Sequence, residues 1–581
     1  MTWIKAPRHE ISRRGFLQIS AAGALASALL SACAPAAPSS TSAGGAAKPA
    51  PAAKGAGPLP TYIPVTGGAK PDYHTNDPRY DDGFDNFPEK PFKAVAETPG
   101  TGSTVNILNR AYFPPPTPYE QNPTWQELNR QLNANVQINI VPGSGPEYRT
   151  KFATVMASDD LPDIMHVYNG YQVAANLPAF FKAKCADLTP YLAGDATKDY
   201  PYLAAIPTYA WKNSISAIEG SLYLIPIQRH LPTFPGFGGY FFTNTEVWDK
   251  EIGQGYVPKN ADDFKRILQQ LTRPQENRYG IGNSPGGGTA QESGPFALAT
   301  HAAMFGAPNQ WRLDGGKLLR NRETEEYKAA VGFVRDLMAS GVYPPDVATM
   351  QMSRPDHSVG KFVVAADGYG NSWIDLWRRG LNATPPRHFH MLKPFPAFDG
   401  GKPQAFLSHG FISMNVLKKA SPDRIKELLR ILNYLAAPFG SQEDLLLSYG
   451  IQGQDYSLDD KGNPVPTTDG INRSGFVPWR YIAQHPYVNY QADLPGFAKA
   501  SHEAQQMLLP IGVEDPTDGY YSATAFGKGV TADVTFYDGL IDVLLGRRPF
   551  SDYDGLVRDW QTAAGDQIRK EYLDAMAAAK A

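Results

Sequence analysis

Apolar and polar residues begin to alternate at residue 104, and this pattern predicts the first ordered elements of the chain. Thr104–Asn109 has the alternation of a strand, apolar residues recur at helical spacing between 125 and 132, and Val136–Ile140 and Asp163–Val167 have the pattern of two further strands. Strand, helix and strand in this order predict an α/β layer with a parallel sheet. The fold class that we expect is therefore α/β.

Polar and aromatic residues follow these predicted strands directly. Asn109, Arg110 and Tyr112 come at or just after the end of the first strand, and Tyr168 and Asn169 follow a later one. In open α/β sheets, ligands bind beyond the carboxyl ends of the strands. We therefore expect these side chains to lie near a cleft.

Three later segments carry clear helix signals. Asn260 precedes an apolar stripe from 264 to 271 and is a typical N-cap, and Ser421 followed by Pro422 has the same role before a stripe from 425 to 432. A third stripe, within 326–340, stops before a glycine. Such stripes are buried helix faces, so we expect them to form core and to carry no chemistry.

The first hundred residues differ in composition from the rest. Residues 1–32 combine the twin-arginine motif Ser12–Leu17 with a mild apolar stretch, which is the layout of a bacterial export signal. The last residues of this stretch and Cys33 resemble a lipobox, in which the acylated cysteine anchors the protein to a membrane. Residues 33–60 are expected to form a disordered linker of Ala, Pro and Ser, and 61–100 an irregular lead-in. We therefore expect an exported protein, lipid-anchored to the outer face of the cell membrane or facing the periplasm.

The bulk composition excludes several classes of partner and cofactor. The 581 residues carry a net charge of -3 with both signs interspersed, so no basic face indicates nucleic acid. The chain has only Cys33 and Cys185, too few for a disulfide framework or a thiolate metal site. Asp459–Asn463 has a lysine where a calcium loop needs an oxygen ligand, so we interpret it as a turn. We expect a monomer without a metal or a cofactor.

Four groups of segments follow one another in a characteristic order. They are MASDDLPDIMHV, then EGSLYLIPIQRH with YFFTNTEVWDKEIG, then EEYKAAVGFVRDLMASGVYPPD, and finally LLGRRPFSDYDGLVRDWQTAAGDQIRKEYLDAM. In order and spacing these segments resemble the extracellular family 1 solute-binding proteins, especially the long oligosaccharide-binding lipoproteins of sugar importers. The resemblance spans roughly residues 103–577 of the chain.

This resemblance implies a two-lobe fold of the periplasmic-binding-protein-like type II, with a hinge and an interlobe cleft. It assigns 101–232 and 405–450 to the first lobe, and 233–404 and 451–581 to the second lobe. It also implies a substrate-binding lipoprotein of an ABC importer, which captures a carbohydrate, expected to be an oligosaccharide, and delivers it to the permease subunits. A hinged pair of lobes that closes on its ligand suits this role.

Carbohydrate binding requires flat aromatic faces and planar polar side chains. Trp373, which follows an apolar run and two glycines, is the first choice for a stacking ring, and Arg229, after another apolar run, is the choice for paired hydrogen bonds to ligand oxygens. The remaining candidates follow predicted strands or flank apolar runs: Trp211, Trp479, Tyr168, Trp377, Arg480 and Tyr112. Core packing is the alternative role of the tryptophans, and pairing with an acid is the alternative role of Arg229.

Two other functions remain open at this point. A peptide-binding receptor of another ABC importer has similar length and anchoring, and a surface glycoside hydrolase or lyase shares an aromatic-lined cleft. Such a hydrolase needs two carboxyl groups about 5–5.5 or 6.5–9.5 Å apart. The 57 acidic residues of the sequence give no reason to choose a pair, so we expect no catalytic residue and no enzymatic activity.

Overall fold

The computed structural model describes residues 59–141, 145–168, 172–233, 239–283, 295–350 and 354–580. The predicted export signal, Cys33 and the predicted linker up to residue 58 lie outside these residues, as does Asn169. Within the described ranges, no helix has the length and apolar character that crossing a bilayer requires.

The strands are short and are numbered in chain order. They are β1 (Asp82–Phe84), β2 (Thr104–Arg110), β3 (Asn135–Val141), β4 (Ile164–Tyr168), β5 (Ala217–Ile218), β6 (Ser221–Leu222), β7 (Leu224–Gln228), β8 (Tyr240–Asn244), β9 (Tyr279–Ile281), β10 (Trp311–Asp314), β11 (Lys317–Arg320), β12 (Phe362–Asp367), β13 (Phe389–Met391), β14 (Ala405–Phe406), β15 (Phe411–Leu417), β16 (Tyr456–Leu458), β17 (Pro464–Pro466), β18 (Val488–Tyr490) and β19 (Gly512–Val513).

The α-helices are numbered in the same way. They are α1 (Pro123–Leu132), α2 (Gly145–Ala157), α3 (Leu177–Lys184), α4 (Thr189–Leu192), α5 (Pro201–Ala204), α6 (Thr208–Asn213), α7 (Thr245–Glu251), α8 (Ala261–Leu271), α9 (Leu298–Met304), α10 (Glu325–Ala339), α11 (Arg354–Ser358), α12 (Asn371–Leu381), α13 (Pro422–Leu435), α14 (Gln442–Tyr449), α15 (Thr468–Gly470), α16 (Phe497–Leu508), α17 (Lys528–Leu544), α18 (Tyr553–Trp560) and α19 (Asp566–Lys580).

The predicted helix caps are confirmed. The side chain of Asn260 accepts a hydrogen bond from the backbone N–H of Asp263 at the start of α8, and Ser421 accepts one from Arg424 at the start of α13. Each bond satisfies a donor that the first turn of a helix leaves unpaired. The third predicted helix is α10, whose apolar residues are buried as expected.

The first lobe is built on a five-stranded sheet in the order β3-β2-β4-β15-β7. β2 is parallel to β3 and to β4, as the strand pattern predicts. β15 is antiparallel to β4 and β7, so the sheet is mixed rather than purely parallel, because β15 returns from a distant part of the chain. Consecutive residues of β2 face two different cores: Ile107 packs with α1 and α13, and Leu108 packs with α2 and α3. The apolar residues of this strand are therefore buried on both faces of the sheet.

The second lobe is built on a four-stranded sheet in the order β13-β8-β12-β9. β12 is parallel to β9 and antiparallel to β8. Phe241 faces a core formed with α8, α10, α17, α18 and α19, whereas its neighbour Phe242 faces a core formed with α12 and α16. The fold is therefore α/β with two lobes, each with its own sheet and its own buried cores.

Three stretches of chain connect the lobes: the segment after β7, the segment before β15 and the segment after residue 483. The backbone N–H of Arg229 donates to the carbonyl of Gly410 at 2.9 Å, and that of Ser408 donates to the carbonyl of Leu231 at 2.7 Å. The Arg229 side chain also donates to Oε1 of Gln484 at 2.8 Å. The three crossings therefore lie side by side, which is the arrangement that a hinge between two lobes requires.

Residues 451–483 pack with the first lobe, whereas we expected them in the second. Trp479 lies in the first-lobe core against Trp125, with ring centroids 5.6 Å apart. The buried carboxylate of Asp455 accepts a hydrogen bond from the Thr124 hydroxyl of α1. Conversely, β14 pairs with β19 and packs against α9 of the second lobe, so the return to the first lobe begins at β15. Each segment belongs to the lobe whose core its apolar residues complete.

The lead-in, 61–100, has little regular structure but is bound to the folded body along its length. β1 pairs with β18, and two backbone N–H groups of the lead-in donate to the carboxylate of Glu443 at 2.9 and 3.0 Å. The buried carboxylate of Asp81 accepts a hydrogen bond from Gln505 of the second lobe and lies 3.2 Å from Nδ1 of His230 at the first crossing. The lead-in therefore forms part of the hinge region.

Candidate functional site

Three strands of the first-lobe sheet end at the same edge. β2 ends at Arg110, β4 ends at Tyr168 and β7 ends at Gln228. These strands run in one direction, because β15 separates β4 from β7 and is antiparallel to both. The chain leaves the lobe directly after β7, so this carboxyl edge adjoins the hinge. Ligands of α/β sheets bind at such an edge.

Six residues meet here and form what we call the carboxyl-edge cluster: Arg110, Tyr112, His166, Tyr168, Arg229 and Tyr481. At its centre Tyr112 and Tyr481 are stacked, with ring centroids 3.8 Å apart and planes 9° from parallel. Tyr168 meets Tyr112 edge-on, with centroids 6.0 Å apart. Tyr112 and Tyr168 are half-buried, so part of their aromatic surface remains open to a ligand.

Arg110 covers the tyrosines of the first-lobe strands. Its guanidinium carbon lies 4.0 Å from the ring centroid of Tyr168 and 4.9 Å from that of Tyr112. Both distances are in the range of a favourable cation–π contact. The Nε atom of Arg110 is buried and has no hydrogen-bond partner among the described residues. Ring faces therefore hold the Arg110 side chain in place, and its guanidinium keeps N–H donors that are available for further hydrogen bonds.

Arg229 approaches the same stack from the hinge. Its Nη1 donates to the backbone carbonyl of Gln228 at 2.9 Å and to Oε1 of Gln484 at 2.8 Å, and both acceptors are neutral. Its guanidinium carbon lies 5.7 Å from the ring centroid of Tyr481. This side chain is 8% exposed, so its charge is largely withdrawn from water.

Burial sets the protonation of the inner groups. Burial lowers the pKa of His166 to about 3, so its imidazole is neutral near pH 7. Burial and then the neighbouring Tyr481 raise the pKa of Tyr112 well above its ordinary value, so the hydroxyl keeps its proton. The two groups are joined by a hydrogen bond of 2.7 Å between the Tyr112 hydroxyl and Nε2 of His166. The formal charges of the cluster are therefore those of Arg110 and Arg229.

The structure places Trp373 in the core of the second lobe, which corrects our expectation of an open stacking ring. The side chain is 1% exposed and its indole N–H donates to the backbone carbonyl of Phe389 at 2.8 Å. Rings of Phe242 and Phe497 lie 5.2 and 5.1 Å from it. Trp377, one helical turn later and 4% exposed, packs against the same core. The glycines before α12 direct this helix onto the sheet, so its rings point inward.

The other two tryptophans and Arg480 also have structural positions. Trp211 and Trp479 are each 1% exposed and belong to the first-lobe core. The Arg480 guanidinium pairs with the buried carboxylate of Asp444 and donates to the hydroxyl of Ser448 at 2.7 Å. Burial alone would raise the pKa of Asp444, but Arg480 holds it below its ordinary value. Trp211, Trp479 and Arg480 therefore contact other residues inside the first lobe. Tyr112, Tyr168 and Arg229, in contrast, lie together in the carboxyl-edge cluster.

Tyr481, His166 and Arg110 are not among the site residues predicted from the sequence. Arg110 follows the first strand directly and was expected near a cleft, so its position was the available signal. His166 lies within β4 and is fully buried, a position at which the sequence shows only a strand. Tyr481 is two residues from Trp479 in the same short helical turn, and only the packing of Trp479 inward turns Tyr481 toward the cluster.

No group of three or more potential metal ligands occurs among the described residues. Asp459 accepts hydrogen bonds from the backbone N–H groups of Lys461 and Asn463, each at 2.8 Å, which is a turn as predicted. A cavity of about 590 Å³ lies on the lead-in side of the hinge, lined by residues that include Tyr62, His74 and Phe439. Its walls come mainly from the lead-in and include Gln228 at the end of β7, but none of the six residues of the carboxyl-edge cluster lines it.

Two lobes joined by adjacent crossings, with an aromatic cluster at the carboxyl edge beside the hinge, define the class of hinged ligand-binding proteins. The family model described as "Bacterial extracellular solute-binding protein" matches residues 112–438. The chain belongs to this family. The family is extracellular and solute-binding, in agreement with our expectation of an exported binding protein.

Among curated proteins, the chain is similar to Lipoprotein LipO of Bacillus subtilis (strain 168), with 24% identity over 491 residues covering 81% of this chain and 92% of the relative. It is also similar to the polygalacturonan/rhamnogalacturonan-binding protein YtcQ of the same strain, with 24% identity over 468 residues covering 78% of this chain and 88% of that protein.

Among solved structures, the chain is similar to an HMO binding ABC-transporter associated solute-binding protein from Bifidobacterium longum infantis. The TM-score is 0.60 at 14% identity, over 82% of this chain and 99% of the other. The N-glycan transport solute-binding protein of Streptococcus pneumoniae gives a TM-score of 0.56 at 14% identity, over 82% and 99% of the two chains. These similarities support the two-lobe type II fold.

Proposed function

We propose that this chain is the substrate-binding lipoprotein of an ABC importer, which captures a carbohydrate between its lobes and delivers it unchanged to the permease. Membership of the solute-binding family supports the binding role. The names of several similar proteins refer to polygalacturonan, HMO or N-glycan and to an ABC transporter, which supports a carbohydrate ligand and such an importer.

The observation that carries this proposal is the stacked pair Tyr112–Tyr481 at the carboxyl edge, beside which Tyr112 and Tyr168 remain partly exposed. The C–H face of a pyranose ring packs well on an aromatic face, and the guanidinium groups of Arg110 and Arg229 supply donors for ligand oxygens. Since the cluster adjoins all three crossings, a ligand bound there contacts both the first lobe and the hinge. Contacts made only when the lobes close would shift the population toward the closed form.

The test is a ligand screen with the exported chain. Neutral and acidic oligosaccharides and a peptide library are added separately, and melting temperature, binding enthalpy and the integrity of the ligand are measured. We expect oligosaccharides alone to raise the melting temperature, because a ligand that binds only the folded state stabilises it. We also expect them to be recovered intact. Stabilisation by peptides alone would support a peptide receptor, and cleaved sugar would support a hydrolase or lyase.

We further propose that Cys33 carries the lipid anchor, on the basis of the lipobox-like sequence that ends there. Metabolic labelling with an alkynyl fatty acid provides the test. We expect the wild-type chain and the variant Cys185→Ser to be labelled, and the variant Cys33→Ser to be unlabelled and released from the membrane. Cys185 is buried in the first lobe, and it is therefore the matched control. Labelling of the Cys33→Ser variant would refute the anchor.

A further inference from the structure

Two arginines are buried among the described residues, and they differ in their partners. Arg322 is 1% exposed and has a carboxylate oxygen of Asp533 at 2.8 Å from its Nη1. Arg229 is 8% exposed, and its side chain donates hydrogen bonds to the neutral oxygens of Gln228 and Gln484. Removing a cation from water is costly unless a negative charge approaches it. Arg322 has this compensation within the chain, whereas Arg229 lacks a carboxylate partner in the described structure.

A second guanidinium without such a partner lies across the same tyrosine pair. Arg110 contacts ring faces, and its buried Nε has no hydrogen-bond partner among the described residues. The guanidinium carbon of Arg110 lies 4.9 Å from the ring centroid of Tyr112 and that of Arg229 lies 5.7 Å from the ring centroid of Tyr481, so both positive charges lie beside the stacked pair. The imidazole of His166 is neutral, so it does not add to or cancel these charges.

A carboxylate on the hinge side of this region, that of Asp81, has other partners. Asp81 lies 3.2 Å from Nδ1 of His230 and accepts a hydrogen bond from the side chain of Gln505. The local field at the stacked tyrosines is thus positive, although the whole chain has a net charge of -3. A site with this field favours an anion over a neutral molecule of the same shape.

From this charge arrangement we propose that the ligand is an acidic oligosaccharide that bears carboxylates, that is, one containing uronic acid residues. This inference rests on the proposed carbohydrate-binding function. The pyranose ring packs against the exposed parts of Tyr112 and Tyr168, and a ligand carboxylate accepts paired hydrogen bonds from Arg110, with Arg229 as a second cation. A guanidinium matches the planar geometry of a carboxylate, and such charge-assisted pairs are stronger than hydrogen bonds between neutral groups.

The test compares uronate oligosaccharides with their own methyl esters. Oligomers of galacturonate, glucuronate and mannuronate, the same oligomers fully methyl-esterified, and a sulfated neutral oligosaccharide are titrated by calorimetry at low and high salt. The ester keeps the size and ring shape of the acid but removes its charge. We expect at least one free acid to bind about tenfold or more tightly than its ester, with an advantage that decreases at high salt.

Variants of Arg110 and Arg229 then test whether these two residues cause the preference for the acid over its ester. Arg110→Gln should weaken binding of the acid much more than binding of the ester, so that the two affinities become similar, because only the acid loses a charge-assisted pair. Arg229→Gln should have the same effect on the acid, with some loss of stability because its hinge hydrogen bonds change. Arg558→Gln removes an exposed arginine on α18, and we expect wild-type affinities from this control.

The outcomes separate the two proposals. Equal affinity for acid and ester, tighter binding of neutral sugars, or binding of the sulfated sugar without any uronate would overturn the inference and leave the carbohydrate-binding function in place. Binding of no saccharide at all, acidic or neutral, would overturn both. An acid preference that survives in Arg110→Gln and in Arg229→Gln would show that the proposed residues are wrong.

Discussion

Two aromatic clusters in this protein have similar composition and opposite surroundings. The cluster around Trp373 lies between the second-lobe sheet and its helices, and neighbouring side chains bury every ring in it. The cluster around Tyr112 and Tyr481 lies at the carboxyl edge of the first-lobe sheet, beside the hinge, and includes two half-buried rings, Tyr112 and Tyr168, and two arginines. The first stabilises a lobe, and the second is the ligand site that we propose.

The difference shows that ring type alone does not identify a ligand site. Trp373 has a larger ring than Tyr112, but its indole N–H already has a partner, the carbonyl of Phe389. A ring is available when one of its faces remains open and nearby donors are unsatisfied, as with Arg110. Burial and hydrogen-bond partners therefore decide between core and site, and both are properties of the tertiary structure.

The largest effect is expected from Trp373→Ala. We expect the free energy of unfolding to fall by about 3–5 kcal/mol, because the truncation leaves a cavity in a packed core and removes the hydrogen bond to Phe389. Ligand affinity of the molecules that remain folded should be unchanged. Urea denaturation measures the first quantity, and calorimetry on the folded fraction measures the second. A variant of normal stability and weakened binding would instead place Trp373 in the ligand site.

A smaller effect is expected from Tyr112→Ala, and here we expect ligand binding to be affected rather than mainly stability. We expect binding to weaken by about 1–3 kcal/mol, as for a partly buried aromatic anchor, while the loss of stability stays below that of Trp373→Ala. Tyr112→Phe keeps the stack and loses only the hydrogen bond to His166. We expect it to retain most of the affinity.

Calorimetry and thermal denaturation of both Tyr112 variants provide the measurement. Phe398→Ala is the control, since this ring is 61% exposed on the second lobe and lies outside the carboxyl-edge cluster. Wild-type affinity in Tyr112→Ala would remove the stacked pair from the site.

An effect that is small near neutral pH and grows as the pH falls concerns two buried histidines, one in each lobe. Burial lowers the pKa of both His166 and His301 to about 3, below the ordinary 6.5. The unfolded chain therefore binds more protons than the folded chain between pH 6.5 and 3. The stability that each neutral histidine contributes is present above pH 6.5 and is lost as the pH falls toward 3, by about 1 kcal/mol per pH unit.

His166→Gln and His301→Gln should each reduce this slope. We expect only His166→Gln to change ligand affinity as well, because His166 contacts Tyr112 whereas His301 lies among the phenylalanines of the second-lobe core. Thermal unfolding from pH 7 to 4 gives the slopes, and calorimetry at pH 7 gives the affinities. An unchanged slope in both variants would mean that these histidines are not neutral in the fold.

The local elements were accessible from the sequence because their signals are local. The alternation at 104–109 predicts β2, and the caps Asn260 and Ser421 predict the starts of α8 and α13. The placement of 451–483 was not accessible, because its apolar residues could complete the core of either lobe. In the site, Tyr112, Tyr168 and Arg229 were predicted from their positions after strands, whereas Tyr481 comes from a segment far along the chain.

The sequence by itself determined the periodic elements, the family and the positions at which strands end, since each depends on neighbouring residues or on their order. Only the tertiary structure decided which aromatic rings are enclosed and which stay open. It also decided that Arg322 meets a carboxylate while Arg229 meets neutral oxygens. The physical reason is that burial and charge compensation depend on contacts between residues hundreds of positions apart, which packing brings together.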